Sequence, residues 1–149
     1  MKKYLYPMLT LCWVALIFSF SLQPADASSQ VSSGLLRTLL ETFLPGLVER
    51  LSAAQLEMLE LFVRKCAHFT EFAILGVFST LTVAEFSLRR QDWCALFFSV
   101  LVACIDESIQ IFSDGRAAKL ADVLLDSVGA LVGVWVVLRM KKQRREGAG

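Results

Sequence analysis

Four stretches of the chain, 5–22, 67–85, 93–112 and 120–138, are nearly unbroken runs of apolar residues. Each has roughly the ~20 residues that a helix needs to cross a bilayer core of ~30 Å, and none is long enough for two crossings. The pattern predicts an all-α fold: a polytopic membrane protein of four transmembrane helices forming one bundle, in a single domain over 1–149. "FSLRRQD" joins the second span to the third and "SDGRAAK" joins the third to the fourth. Links this short force neighbouring helices to run antiparallel.

The region between the first two spans has a different rhythm. "SLQPADASSQVSSG" is rich in Ser, Ala and Gln and reads as an exposed loop. After it, Leu35, Leu36, Leu39, Leu40, Phe43 and Leu47 recur at three- and four-residue spacing, with Arg37 and Glu41 opposite. Pro45-Gly46 breaks that run, and a second amphipathic stretch follows from about Val48 to Phe62. An external amphipathic segment over about 33–62 is expected, made of two short helices that lie on the outer surface or cap the bundle. In the last span, Asp122, Asp126, Gly129 and Gly133 fall on one stripe at 100° per residue. The acids thus share a face with a small-xxx-small pair and point into the bundle. Whether the glycines pack within one bundle or between two copies is open.

Composition sharpens the class. The chain is 56% hydrophobic and 19% charged, against about 25% charged in average soluble domains. A net charge of +1 gives no case for nucleic acid. Lys and Arg near the helix ends set the orientation. Lys2, Lys3, Arg89, Arg90 and the basic tail 139–149 fall on one side. Arg37, Arg50, Arg64, Lys65, Arg116 and Lys119, fewer and partly matched by acids, fall on the other. Both termini are therefore expected to be cytoplasmic, and the tail is expected to be disordered. A cleaved leader is the alternative for residues 1–27, because Ala25-Asp26-Ala27 could serve a signal peptidase. The run 5–22 is, however, longer than the ~7–15 residues of a signal-peptide core. Cys12, Cys66, Cys94 and Cys104 show no CxxC spacing, so neither a disulfide framework nor a cysteine metal site is expected.

The charges inside the apolar runs are expensive and call for a reason. Arg64, His68 and Glu71 are spaced i, i+4, i+7 on one face of the second span. Asp106 and Gln110 are spaced i, i+4 near the end of the third, with Glu107 adjacent. Arg116 sits in the following turn, and Asp122 and Asp126 occupy the first turns of the fourth span. Under the expected topology all of them collect in the outer third of the bundle, while the inner two thirds hold almost no polar side chains. An excess of carboxylates held there must take up protons, hold a cation or open to water. A hard divalent cation such as Mg²⁺ or Ca²⁺ suits carboxylates, and its ligands would be drawn from Glu71, Asp106, Glu107, Asp122 and Asp126. Nothing in the spacing fixes a coordination geometry, and one histidine is a weak zinc signal. A Ser nucleophile has no Gly-x-Ser-x-Gly elbow to support it.

At these residues the chain resembles the VanZ-like family of small bacterial membrane proteins. The likeness rests on "FSFSLQP" closing the first span, "RKCAHFTEFAILG" from Arg64, and "DESIQIFSDGRAAKLADVLLDSVGALVG" from Asp106. Asp114 stands where relatives often carry Pro, and Ser113 where Val is common; both departures concern the turn. Position by position, the family's polar residues fall on Arg64, Lys65, His68, Glu71, Asp106, Glu107, Gln110, Arg116, Asp122 and Asp126. The resemblance implies a bacterial cytoplasmic membrane protein with a link to low-level resistance to the glycopeptide teicoplanin, and implies no settled reaction.

Two functions fit these observations. In the first, the protein acts on or binds a cell-envelope component, lipid-linked and anionic, at the outer leaflet of the bilayer. Arg64, Lys65, Arg116 and Gln110 would hold its head group. Glu107, Asp106, Asp126 and His68 are the candidates for acid, base or cation ligand, supported by Glu71 and Asp122. In the second, the protein is a non-catalytic interaction or structural protein, and the same charges are an ion-pair network holding helices together. A transporter has less to recommend it, since no inverted repeat or through-going polar stripe is visible.

Overall fold

The computed structural model describes residues 4–86, 90–115 and 117–147. Within them the chain forms five α-helices and no strand: α1 (Leu5–Ser21), α2 (Ala25–Phe43), α3 (Ala53–Glu85), α4 (Gln91–Gln110) and α5 (Leu120–Glu146). A single 3₁₀ turn, Val48–Arg50, lies between α2 and α3. Two of these helices, α3 and α5, are long and apolar enough to cross a membrane on their own. The pair α1–α2, bent by 105° at the break between them, would make a third crossing if taken as one span.

Three local expectations change. The Ser-rich stretch is helix rather than loop: α2 begins directly after Pro24, and the φ of −55° at that proline suits a helix entry. Its serines turn their hydroxyls inward along the helix, Ser32 to the Ser28 carbonyl and Ser33 to the Ser29 carbonyl, while Leu36 and Leu40 are buried. The second amphipathic stretch is not a separate helix but the opening turns of α3. Ser52 and Gln55 form a reciprocal capping box there, which satisfies two backbone donors at the helix start. The basic tail continues α5 as far as Glu146. Long unbranched Lys, Arg and Gln side chains cost little rotamer freedom in a helix, and their charges complement the negative end of the helix dipole. The break at Pro45-Gly46 is where expected: α2 stops at Phe43, and Gly46 takes a φ of +81° that an L side chain rarely adopts.

Side-chain contacts give the relative directions. Thr10 meets Thr82 at 2.8 Å, and the Trp13 ring packs edge-on to Phe78, so α1 runs antiparallel to α3. Gly129 lies against Phe69 and Gly133 against Ala73, so α5 runs parallel to α3. Both relations agree with helices that alternate in direction along the chain. The glycines explain the closest approach in the molecule. A Cβ built on Gly129, Gly133 or Gly76 would overlap the carbonyl oxygen of Phe69, Ala73 or Ala130 respectively. All three serve the α3–α5 seam of one chain, which answers the question left open above.

Ile17, Phe72, Leu75, Val102 and Ala103, from α1, α3 and α4, form the buried core. The part of the bundle away from the charged residues is less purely apolar than expected. Thr10, Ser79, Thr80 and Ser99 are buried there, and they satisfy their hydroxyls locally: Thr80 donates to the Gly76 carbonyl and Ser99 to the Ala95 carbonyl. Outward, large apolar side chains stand free. Leu11, Phe97, Leu124 and Trp135 are more than half exposed, a surface that suits lipid and would be a liability in water.

Candidate functional site

The end of the bundle where α3 begins, α4 stops and α5 starts is knitted together by the connecting segments. The Ala25 N–H donates to the Asp114 carbonyl at 3.0 Å, and the Ser113 hydroxyl donates to the Ser21 carbonyl at 2.8 Å. These bonds seat the α4–α5 turn on the corner between α1 and α2. Gly115, at φ +74° and close under Ala25, makes that turn.

Beneath the turn is a cavity of about 210 Å³. Arg64, Lys65 and His68 reach it from successive turns of α3, Glu107 and Gln110 from the end of α4, and Asp122 and Asp126 from the start of α5. Leu61 and Leu125 supply apolar wall. The sequence spacings thus converge as geometry. α4 and α5 contribute polar faces near their ends and α3 one from Arg64 to His68, well inside the helix, and the three faces meet.

Burial divides the acids into two groups. Asp106, Glu107 and Asp126 are almost completely shielded, at 0%, 3% and 2% exposure. Asp122 remains partly exposed and pairs with the Lys65 ammonium across α3 and α5. Glu71 is also partly exposed, with a carboxylate oxygen 3.7 Å from His68 Nδ1. Asp106 accepts from the Gln110 amide at 3.2 Å, and Glu107 accepts from the backbone N–H of Lys119. Among the described residues, the second oxygen of Glu107 and Oδ1 of Asp126 are buried without a hydrogen-bond donor. Such groups are costly unless something else meets them. His68, Asp106 and Asp126 each offer a ligand atom, all within 4.8 Å of one another.

The structure therefore brings together nine of the ten sequence-predicted residues. Arg64, Lys65, His68, Glu107, Gln110, Asp122 and Asp126 line the cavity. Asp106 lies buried beside them, as part of the close group with His68 and Asp126. Glu71 flanks His68. Arg116 lies outside the described residues. Lys119 was not among the predicted site residues, yet it lines the cavity and its main chain holds Glu107. The signal was available: Lys119 immediately precedes the apolar run of α5, where a backbone N–H has no partner within the helix.

At the opposite end of the bundle, Arg90, Lys141, Lys142 and Arg145 surround a more open basic pocket with Asp92. Arg89, Lys2 and Lys3 of the orientation argument lie outside the described residues.

Fold and site together define an all-helical, membrane-type protein with a charged cavity at one end of its bundle. A family model described as VanZ/LLP1 matches residues 7–141, nearly the whole chain. The chain belongs to the VanZ/LLP1 family. No curated protein and no solved structure matches it.

Proposed function

We propose that the protein is a four-span protein of the bacterial cytoplasmic membrane, both termini cytoplasmic, whose outer cavity receives an anionic, lipid-linked component of the cell envelope. One observation carries this reading: cationic Arg64, Lys65 and Lys119 share a cavity with the buried carboxylates of Glu107 and Asp126. Cations of this kind suit a phosphate-bearing head group, and a shielded carboxylate beside them suits proton transfer. In this reading Arg64, Lys65 and Arg116 hold the head group and Gln110 orients it. Glu107, with one oxygen fixed by the Lys119 N–H, is the leading acid–base candidate, and Asp106, Asp126 and His68 complete the set. Family membership makes glycopeptide resistance, teicoplanin in particular, the phenotype to examine.

α1 and α4 supply the first and third crossings in this arrangement. α1 is 17 residues long, and α4, at 20 residues, carries Asp106 and Glu107 in its final turns, where the cavity shields them from lipid. α2, nearly perpendicular to α1, lies across the outer end.

The competing reading treats the charges as structural, and the Lys65–Asp122 pair and the Lys119–Glu107 bond favour it, since each joins two helices. Mass spectrometry of lipid-linked envelope precursors separates the two, comparing wild type, a null strain and Glu107→Gln at matched membrane abundance, alongside teicoplanin susceptibility. An altered precursor shared by the null and by a folded Glu107→Gln protein is the expected result. Identical profiles in all three strains would remove catalysis on envelope lipids. A Glu107→Gln protein that is lost from the membrane would favour the structural reading.

A further inference from the structure

His68, Asp106 and Asp126 come from three different helices, α3, α4 and α5, yet their ligand atoms converge to within 4.8 Å. Two are carboxylates with essentially no exposure. Independent of that convergence, Oδ1 of Asp126 and the second oxygen of Glu107 are buried without a donor among the described residues, and both residues face the cavity. Burying carboxylates costs several kcal/mol per charge unless a counter-charge is close. Of the described cations lining the cavity, the Lys65 ammonium is engaged by Asp122, Lys119 bonds Glu107 through its main chain, and Arg64 stands at the same cavity, against four carboxylates in or beside it. A small divalent ion would meet these demands at once.

We propose that His68, Asp106 and Asp126 are the protein ligands of a divalent transition-metal ion of the Zn²⁺ or Mn²⁺ kind, held at the floor of the cavity. One imidazole nitrogen with two carboxylate oxygens is a borderline donor set. It fits these ions better than Ca²⁺ or Mg²⁺, which take oxygen throughout. Three protein ligands leave at least one coordination position open, the arrangement of a working site rather than a closed structural one. His68 and Asp126 line the cavity, so the open position faces whatever occupies it. Bonds of ~2.1 Å place ligand atoms in a tetrahedral site ~3.4 Å apart, so side-chain rotations closing the group by about an ångström complete the shell. Glu107 stays outside the ligand set, where its free oxygen can accept a hydrogen bond from a metal-bound water. Asp122, paired with Lys65, also stays outside the ligand set. The site goes beyond the proposed head-group binding and does not depend on it.

The chain contains a single histidine, which makes the test specific. The full-length protein, purified without a histidine tag in lipid nanodiscs and stripped with chelator, is titrated with Mn²⁺ and followed by electron paramagnetic resonance. We expect saturable binding of one ion per chain, displaced by Zn²⁺. Electron spin-echo modulation should show a nitrogen coupling that changes when the protein is grown with ¹⁵N-histidine. Asp126→Asn, which keeps the side-chain shape, should weaken binding by at least about 100-fold, at the top of the range for disturbing a metal's supporting shell. Absence of one-to-one binding by either metal overturns the proposal, as does binding with no histidine nitrogen coupling. Unchanged affinity in a folded Asp126→Asn protein also overturns it. The isotope measurement uses wild type alone, so the proposal stays testable if the variant fails to fold. The nanodiscs contain zwitterionic phosphatidylcholine and no anionic lipid, so failure of the metal site would leave the proposed binding of an anionic head group untouched.

Discussion

Lys65 and Asp122 form an ion pair between α3 and α5, with side-chain exposures of 52% and 30%. At that exposure the attraction is screened and partly offset by the entropy of holding a long lysine, so such a pair is worth at most about 1 kcal/mol. Lys65→Met should therefore lower unfolding stability in detergent by no more than about 1 kcal/mol, with the folded protein still reaching the membrane. If Lys65 also holds an anionic head group, the same variant should weaken binding to vesicles containing phosphatidic acid relative to phosphatidylcholine. A large stability loss with unchanged vesicle binding would assign Lys65 to the scaffold. The buried acids obey different physics. Glu107 keeps one oxygen on the Lys119 N–H, and an amide in its place could present its own carbonyl oxygen to that donor. Glu107→Gln is thus expected to fold, which is what makes it a fair probe of chemistry.

Among the elements, the α3–α5 seam governs the site because it sets the distance between His68 and Asp126. The two helices touch through Gly76, Gly129 and Gly133, where a neighbouring carbonyl occupies the space of a Cβ. In lipid, where apolar surface alone gives no net drive for association, this close packing is a main source of cohesion. Gly133→Val should push α5 away from Ala73 and destabilise the fold by about 2 kcal/mol or more, within the usual cost of overpacking or above it. Thermal unfolding in detergent, or steady-state abundance in the membrane, measures this. Gly34 in α2 is the internal control, because nothing lies within 4 Å of a Cβ built there. Gly34→Ala should raise stability by up to about 1 kcal/mol through helix propensity alone. Equal behaviour of the two variants would mean that the glycines are not packing determinants.

For the whole molecule the decisive question is how it sits in the bilayer. Basic residues concentrate at the end that carries Arg90, Lys141, Lys142 and Arg145, and the proposed four-span arrangement, following the positive-inside bias, expects that end in the cytoplasm. In intact cells, a background with Cys12, Cys66, Cys94 and Cys104 all replaced by Ser can carry one new cysteine at a time. Ser29→Cys on α2 should react with a membrane-impermeant maleimide, and Gln143→Cys on α5 should react only after the membrane is permeabilised. Labelling of both from outside would overturn the four-span arrangement, since an even number of crossings between residues 4 and 143 is required for shared cytoplasmic ends.

What the amino-acid sequence determined by itself was local and periodic. Helix formation follows from hydrogen bonds within four residues, so apolar runs, the Pro45-Gly46 break and the i, i+4 spacing of Arg64 with His68 and Asp106 with Gln110 could all be read directly. The family was legible for the same reason, because its polar residues are blocked along single helices. Propensity misled where side chains compete for the backbone. Serines at 28–33 suggested a loop, but burial of Leu36 and Leu40 against the bundle outweighed that preference. Only the tertiary structure decided which helices touch and at what rotation. It made α3 and α5 the intimate pair, gave Asp122 to Lys65, and left Asp126 and Glu107 facing the cavity with Lys119 beside them. Those choices depend on depth and rotation between helices distant in sequence, and no local pattern encodes them.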